Sequence, residues 1–208
     1  MNRRNALGSL SLVVAGVVGL PSQAAQGDDR DRVKSFPTDS MEEPMSAETT
    51  FRLTRHTLTT SRSFDDLTGE LEKRAPLVPA SKLDELVALG LPQDQLRARV
   101  ASLIGSSGFM VFLKIRHDDL FSKFGRMRAS VQYALGNPLI AKEVTDKAPA
   151  ICLYAPLRLA VYESPETSET ILSYDSPASL FGSFGVPEAA EIGELLEQKM
   201  RDLVHECL

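Results

Sequence analysis

The sequence is poor in the residues that most often mark a reaction centre or a nucleic-acid interface. Its 208 residues include no Trp, 4 Tyr, 3 His and 2 Cys, and the formal net charge is -5. Sparse aromatic residues disfavour a stacking platform for single-stranded nucleic acid. An acidic chain without a basic cluster is also a poor match for a phosphate backbone. We therefore predict no nucleic-acid partner.

The two cysteines give little evidence of a disulfide framework. Cys152 lies in the apolar run "AICLYAPL", and Cys207 is the penultimate residue. Export from the cytoplasm would permit a bridge between them. We favour two unpaired thiols, with Cys152 buried as a small hydrophobic side chain and Cys207 at a frayed chain end.

Residues 1–24 have the layout of a cleaved export signal. Arg3 and Arg4 precede an apolar run from Leu7 to Leu20, and small residues follow. The run is shorter than the roughly 20 residues that span a bilayer, so we predict cleavage after Ala24 rather than a membrane anchor. The paired arginines resemble a twin-arginine signal, and an ordinary secretory signal fits equally well. Either route predicts a protein that works outside the cytoplasm, in the periplasm.

The remainder of the chain divides into a leader and one domain. Residues 25–49 mix charges with prolines and have no apolar period, which predicts a disordered polar leader. Residues 50–205 interleave helix and strand patterns, and "LRLAVYES" and "ETILSYDS" predict an antiparallel hairpin. We predict an α+β fold, a two-layer sandwich with helices packed on one side of a mostly antiparallel sheet.

Two segments carry the most apolar residues. The run "GFMVFLKIRH" predicts a central strand that is buried on both faces. The segment 186–207 predicts an amphipathic helix that turns four residues inward: Ile192, Leu195, Leu196 and Leu203.

The junction Gly136-Asn137-Pro138 links a predicted strand to a predicted helix. Gly136 tolerates positive φ, Asn137 can cap the helix, and Pro138 suits its first turn. The same geometry can aim backbone N–H groups and the positive end of the helix dipole at an anion. The residues alone favour the structural role.

Four segments, in this order and spacing, resemble the family called domain of unknown function 302. They are "FMVFLKIRHDDLFSKFG", "QYALGNPLIAKEV", "LYAPLRLAVYE" and "ILSYDSPASLFGSFG". The resemblance runs from about Thr50 to Leu203 and is to the longer subgroup, with extra helices before the first of these segments. It implies a compact α+β fold, a homodimer and no established activity. The positions that it carries over are His117, Gly136, Asn137, Pro138, Pro156, Leu157, Arg158, Tyr174 and Asp175.

Three functions fit these residues. The first, which we favour, is a non-enzymatic periplasmic binding or stress-related domain. In it His117, Asn137, Arg158 and Tyr174 would form a pocket for a small anionic or amphipathic ligand. The second is an enzyme with His117 as general base and the helix end at Asn137 as an anion hole. The third is a structural module for dimerisation or interaction.

Each candidate side chain also has a purely structural interpretation. His117 could simply cap the next helix, and either Asp118 or Asp119 would have to orient it in an enzyme. Arg158 could clamp a carboxylate or phosphate, or it could pair with Asp175 across the hairpin. The three histidines are not spaced as metal ligands. We predict no metal and no cofactor.

Overall fold

A single antiparallel sheet organises the computed structural model, which describes residues 47–125 and 127–208. Its strands are β1 Arg55–Thr60, β2 Met110–Arg116, β3 Ser130–Gly136, β4 Leu157–Glu163 and β5 Thr170–Asp175. They lie in the order β1-β5-β4-β3-β2, and each neighbouring pair is antiparallel. The predicted α+β class is confirmed. The predicted export signal and most of the predicted leader lie outside the described residues.

Seven α-helices accompany this sheet in the described part of the chain. They are α1 Phe64–Arg74, α2 Ala80–Ala88, α3 Gln93–Ala101, α4 His117–Phe121, α5 Pro138–Thr145, α6 Pro177–Gly182 and α7 Pro187–Cys207. A 3-10 helix spans Pro149–Leu153. Side chains of Ser63, Asn137 and Ser176 cap α1, α5 and α6 by accepting hydrogen bonds from first-turn N–H groups. None of the helices described here is long and apolar enough to cross a membrane.

Successive side chains along a regular strand point to opposite faces of the sheet, and the register irregularity between Val111 and Leu113 in β2 interrupts this alternation. One row across the strands holds His56, Tyr174, Leu159, Tyr133 and Lys114, and we call this side the core face. The next row holds Thr57, Ser173, Ala160, Gln132 and Ile115, and we call that side the open face. The strands are more buried on the core face.

Helices α1 and α7 supply much of the hydrophobic core against the core face. Their buried residues include Leu67, Leu71, Leu196, Met200 and Leu203. The inward orientation predicted for α7 is therefore confirmed at Leu196 and Leu203. It is wrong at Leu195, which is 44% exposed.

β2 lies at an edge of the sheet, so the prediction of a central strand buried on both faces is wrong. Its first residues pack into the hydrophobic core, and a neighbouring segment pairs with the backbone at the outer edge. There the Val111 N–H donates to the Pro76 carbonyl over 2.9 Å, and the Val78 N–H donates to the Val111 carbonyl over 2.7 Å. Beyond this cover, Leu113 and Ile115 on the open face are 51% and 37% exposed.

Both cysteines are free thiols, as predicted, but their environments are reversed. Cys152 is exposed, whereas Cys207 is buried at the end of α7. The Arg62 guanidinium donates to the Cys207 carbonyl over 2.5 Å and so ties down the end of this helix. Burial raises the pKa of the Cys207 thiol to about 11, which keeps it protonated and unreactive near neutral pH.

Alanine substitutions at two helical glycines distinguish the effect of packing on stability from the effect of helix propensity. A Cβ added at Gly193 on α7 would lie 2.8 Å from the Phe181 Cβ on α6, whereas one at Gly69 on α1 would meet nothing within 4 Å. We expect Gly193→Ala to lower the free energy of unfolding by about 1–3 kcal/mol. Gly69→Ala should raise it by roughly 0.5–1 kcal/mol. Urea denaturation measures both, and equal stability of the two variants would contradict the close α6–α7 packing.

Candidate functional site

The residues predicted to form one site lie in three separate places. Arg158 and Asp175 lie at one end of the open face, and His117 lies at the other end. Gly136, Asn137 and Pro138 lie at the junction of β3 and α5. Tyr174 is buried on the core face. The structure therefore does not form the single pocket predicted from His117, Asn137, Arg158 and Tyr174.

The open face contains a polar depression of about 470 Å³ over strands β1, β5, β4 and β3. Hydroxyl groups line its floor: the Thr57 and Ser173 oxygens are 3.2 Å apart, and the Tyr162 and Ser173 oxygens are 3.4 Å apart. Arg158, Gln132 and the ion pair of Arg55 with Asp175 complete the polar lining. These groups offer both hydrogen-bond donors and acceptors to a bound molecule.

The ion pairing around Arg158 differs from the predicted alternative. Asp175 accepts two hydrogen bonds from the Arg55 guanidinium, 2.6 Å from Nε and 3.1 Å from Nη2. This contact also raises the pKa of Arg55. Arg158 is exposed and has no ion pair with any residue that the structure describes. A positively charged group therefore lies over the depression without a carboxylate partner among the described residues.

His117 begins α4, and its ring stacks on Phe121 with a centroid separation of 5.7 Å. Neither nearby acid is placed to orient it. Asp118 pairs with Arg116 through oxygen–nitrogen distances of 2.9 and 2.6 Å, and this hydrogen bonding lowers the pKa of Asp118. Asp119 is two residues from His117 in the helix, and residues at that spacing do not face each other. The geometry gives the enzyme hypothesis no histidine–carboxylate pair at this position.

Asn137 uses its side chain to complete the start of α5. Its Oδ1 accepts the N–H groups of Leu139 and Ile140 over 2.9 and 3.3 Å, and its carbonyl accepts that of Ala141 over 3.0 Å. The first helical residue is a proline, which has no N–H. Every donor of the first turn is therefore paired, and none remains for the anion hole that the enzyme hypothesis requires.

The other side of this junction is apolar. The Asn137 Nδ2 donates to the Gly108 carbonyl over 2.9 Å, which ties α5 to the loop before β2. A cleft of about 370 Å³ alongside is lined mainly by apolar groups, including Leu83, Phe112 and Pro156. An anionic ligand would find no free polar partner in the Asn137 side chain there.

Tyr174 belongs to a buried polar cluster that the sequence analysis missed. Its ring stacks on His56 at 4.8 Å, and the His56 Nε2 lies 3.1 Å from the Glu197 Oε1. The same oxygen accepts from the Arg201 Nε over 3.1 Å, and the Ser176 hydroxyl donates to Oε2 over 2.6 Å. Glu197 falls on the inward side of α7 between Gly193 and Met200, and this helical spacing was the signal that could have revealed it.

The cluster holds an ionised carboxylate in the protein interior. Glu197 is only 2% exposed. Burial alone would raise the pKa of Glu197, but hydrogen bonds from Ser176 and Arg201, together with His56, lower it. Burial, followed by the nearby Glu197 charge, raises the pKa of Tyr174. These side chains act as a structural tie between β1, the start of α6 and α7.

No group of three or more His, Cys, Asp or Glu residues is placed to hold a metal ion within residues 47–125 and 127–208. The open-face depression is lined by the guanidiniums of Arg55 and Arg158, the Asp175 carboxylate, hydroxyls and an amide. Because Arg55 pairs with Asp175, the remaining groups suit an anion better than a cation.

Comparisons with known proteins identify a family without assigning an activity. Residues 87–207 match the family model described as domain of unknown function DUF302. A crystal structure of an uncharacterised conserved DUF302 protein from Bacillus stearothermophilus resembles this chain with a TM-score of 0.52 and 17% identity. The alignment covers 74% of this chain and 98% of that one, and at this identity it shows a shared fold alone. No curated protein matches the chain.

The buried cluster predicts how stability depends on pH. The pKa of Glu197 is lowered below its ordinary value of 4.5 in the folded state. Its contribution is therefore present above about pH 4.5 and is lost as the pH falls through the folded pKa. We expect Glu197→Gln to lower the free energy of unfolding by about 1–3 kcal/mol at pH 7. The free energy of unfolding of this variant should also fall less steeply than that of the wild type as the pH is lowered. Chemical denaturation between pH 7 and 3 measures this, with the exposed Glu194→Gln as control. Equal slopes for wild type and Glu197→Gln would contradict it.

Proposed function

This chain belongs to the DUF302 family, and we propose that its domain binds a small anionic molecule at Arg158 on the open face of the sheet. The observation that carries the proposal is the exposed Arg158 guanidinium, which lacks an ion pair with any described residue and lies over a polar depression. The proposed role is binding rather than catalysis.

The chemistry of the depression fits a carboxylate or phosphate group. A guanidinium presents a planar set of donors that can engage two oxygens of such a group at once. The hydroxyls of Thr57, Ser173 and Tyr162 lie on the same face and can donate further hydrogen bonds. The volume of about 470 Å³ is within the range of small-molecule sites, roughly 300–1,000 Å³.

We place this activity outside the cytoplasm, in the periplasm. The support is the sequence of residues 1–24, whose basic start, apolar run and small residues are typical of a cleaved export signal. A binding domain in that compartment would meet solutes from the surroundings of the cell.

Replacing the arginine tests the proposal directly. We expect succinate and phosphate to shift amide resonances along the open face, at Thr57, Ala160 and Ser173, in a ¹⁵N-labelled domain. Arg158→Gln should weaken this binding by about tenfold, because it removes a charge-assisted contact worth roughly 1.5 kcal/mol. Sodium chloride must hold the ionic strength constant, since surface electrostatics are screened by salt.

The matched control is Arg97→Gln, which removes an equally exposed arginine on α3. It should leave the affinities unchanged. An equal loss in Arg97→Gln would indicate binding through net charge alone, and the absence of any shift in the wild type would overturn the proposal.

A second candidate function, homodimerisation, is favoured by the apolar edge of the same face. Leu113 and Ile115 on β2 are exposed large hydrophobic residues, with the small Ala134 beside them. Exposed apolar patches of this kind often mark interfaces. The apolar patch lies near β2, while the polar depression extends toward β1. A second copy of the chain could therefore cover the apolar patch and leave the polar depression open to a ligand.

Sedimentation velocity tests the dimer. We expect a wild-type dimer and a monomeric Ile115→Glu variant, because a buried charge without a partner disfavours the interface. Leu89→Glu, which places the same charge at an exposed apolar position after α2, should remain dimeric. A wild-type monomer at all concentrations would rule out this function.

A further inference from the structure

We propose that the ligand is a small aromatic or branched carboxylate, whose carboxylate contacts Arg158 and whose apolar part enters a pocket walled by Phe51 and Leu53. This inference rests on the proposed anion-binding function and adds the chemical class of the ligand. It also assigns a binding role to the chain segment immediately before β1.

The pocket lies beside the open-face depression and has a volume of about 220 Å³. Arg158 and Asp175 line both cavities, so they form the boundary between them. The remaining walls are Phe51, Leu53, Tyr154 and Leu180. A molecule that contacts Arg158 from the depression can therefore extend an apolar group into this pocket.

The apolar walls are arranged before any ligand arrives. The Phe51 ring meets Tyr154 edge-on at 6.3 Å, and Tyr154 packs on Phe184 at 5.7 Å. Backbone contacts hold the segment in place, because the Ser176 N–H donates to the Thr54 carbonyl over 2.8 Å. A wall that is already ordered costs less conformational entropy when a ligand binds.

Phe51 and Leu53 nevertheless remain 38% and 40% exposed. A bound ring would cover some of this apolar surface and gain hydrophobic free energy. The size also fits, since a cavity of about 150 Å³ can hold benzene. The 220 Å³ available here has room for a ring with a short linker to the carboxylate.

The charges at the pocket mouth select an anion. The Asp175 carboxylate is engaged by two hydrogen bonds from Arg55, 2.6 and 3.1 Å long, so its charge is compensated. Arg158 has no such partner among the described residues. A neutral aromatic molecule would fill the pocket but leave this guanidinium without a counter-charge. An aromatic carboxylate would both fill the pocket and pair with the guanidinium.

Three probes separate the two halves of the ligand: propionate, 3-phenylpropionate and the neutral 3-phenylpropan-1-ol. Calorimetric titration at constant ionic strength should show 3-phenylpropionate binding about tenfold more tightly than propionate. It should also bind more tightly than the alcohol. Arg158→Gln should weaken both carboxylates, because each depends on the guanidinium.

Truncating the apolar wall should affect one probe only. We expect Phe51→Ala and Leu53→Ala each to weaken 3-phenylpropionate by about fivefold and to leave propionate unchanged. Val87→Ala, at an exposed position on α2, is the control and should change neither. Thermal melting of each variant confirms that the domain is folded.

The outcomes distinguish this inference from the proposed function. If propionate binds through Arg158 but the phenyl group adds no affinity, or if neither wall variant weakens 3-phenylpropionate, the inference is overturned and anion binding stands. If the alcohol binds as tightly as 3-phenylpropionate, the carboxylate is not recognised and the inference also fails. If no carboxylate or phosphate binds the wild type, both proposals fail.

Discussion

The alternation of side chains along strands β4 and β5 decides what each surface of this domain can do. Arg158 and Leu159 are neighbours in β4, yet one faces solvent and the other lies in the core. Tyr174 and Asp175 divide in the same way in β5. Because the period is two, a register shift of one residue would bury the guanidinium and expose the leucine. The proposed binding surface and the core therefore depend on the same register.

The buried carboxylate of Glu197 helps to set that register at the outer strand. Among the strands that the structure describes, β1 pairs with β5 alone, and its His56 Nε2 lies 3.1 Å from the Glu197 Oε1 on α7. His56 lies on the core face of β1, and its neighbour Arg55 lies on the open face. Arg55 then engages Asp175, which leaves Arg158 without that acid as a partner. β1 therefore carries both the His56 contact on the core face and the ion pair that occupies Asp175 on the open face.

Local patterns predicted the elements of the fold well, because each depends on residues close in sequence. Caps, prolines and apolar periods located the helices, and the β4–β5 hairpin follows from two adjacent strands. The position of β2 could not be predicted in this way. Its apolar run is typical of a central strand, but the backbone of Val111 pairs with the distant 76–78 segment instead of a sixth strand, and Leu113 and Ile115 are exposed. The burial predicted for the two cysteines was also wrong, because it depends on residues distant in sequence: such contacts bury Cys207.

In the candidate site, too, features that depend on nearby residues could be predicted from the sequence, whereas features that depend on distant residues could not. Gly136-Asn137-Pro138 could be interpreted from sequence because an N-cap is satisfied by its own next residues, and in the fold Asn137 pairs the donors that an anion would need. Arg158 could be nominated, but its lack of an ion pair with Asp175 could not, since the Arg55 that engages Asp175 is 120 residues away from it in the sequence. The role proposed for Phe51 could not be predicted from the sequence, because its contact residue Tyr154 is far from it along the chain. The backbone donors at the start of α5 are paired by neighbouring residues, whereas the open face keeps polar groups available to a ligand, and for this reason we propose the binding site there.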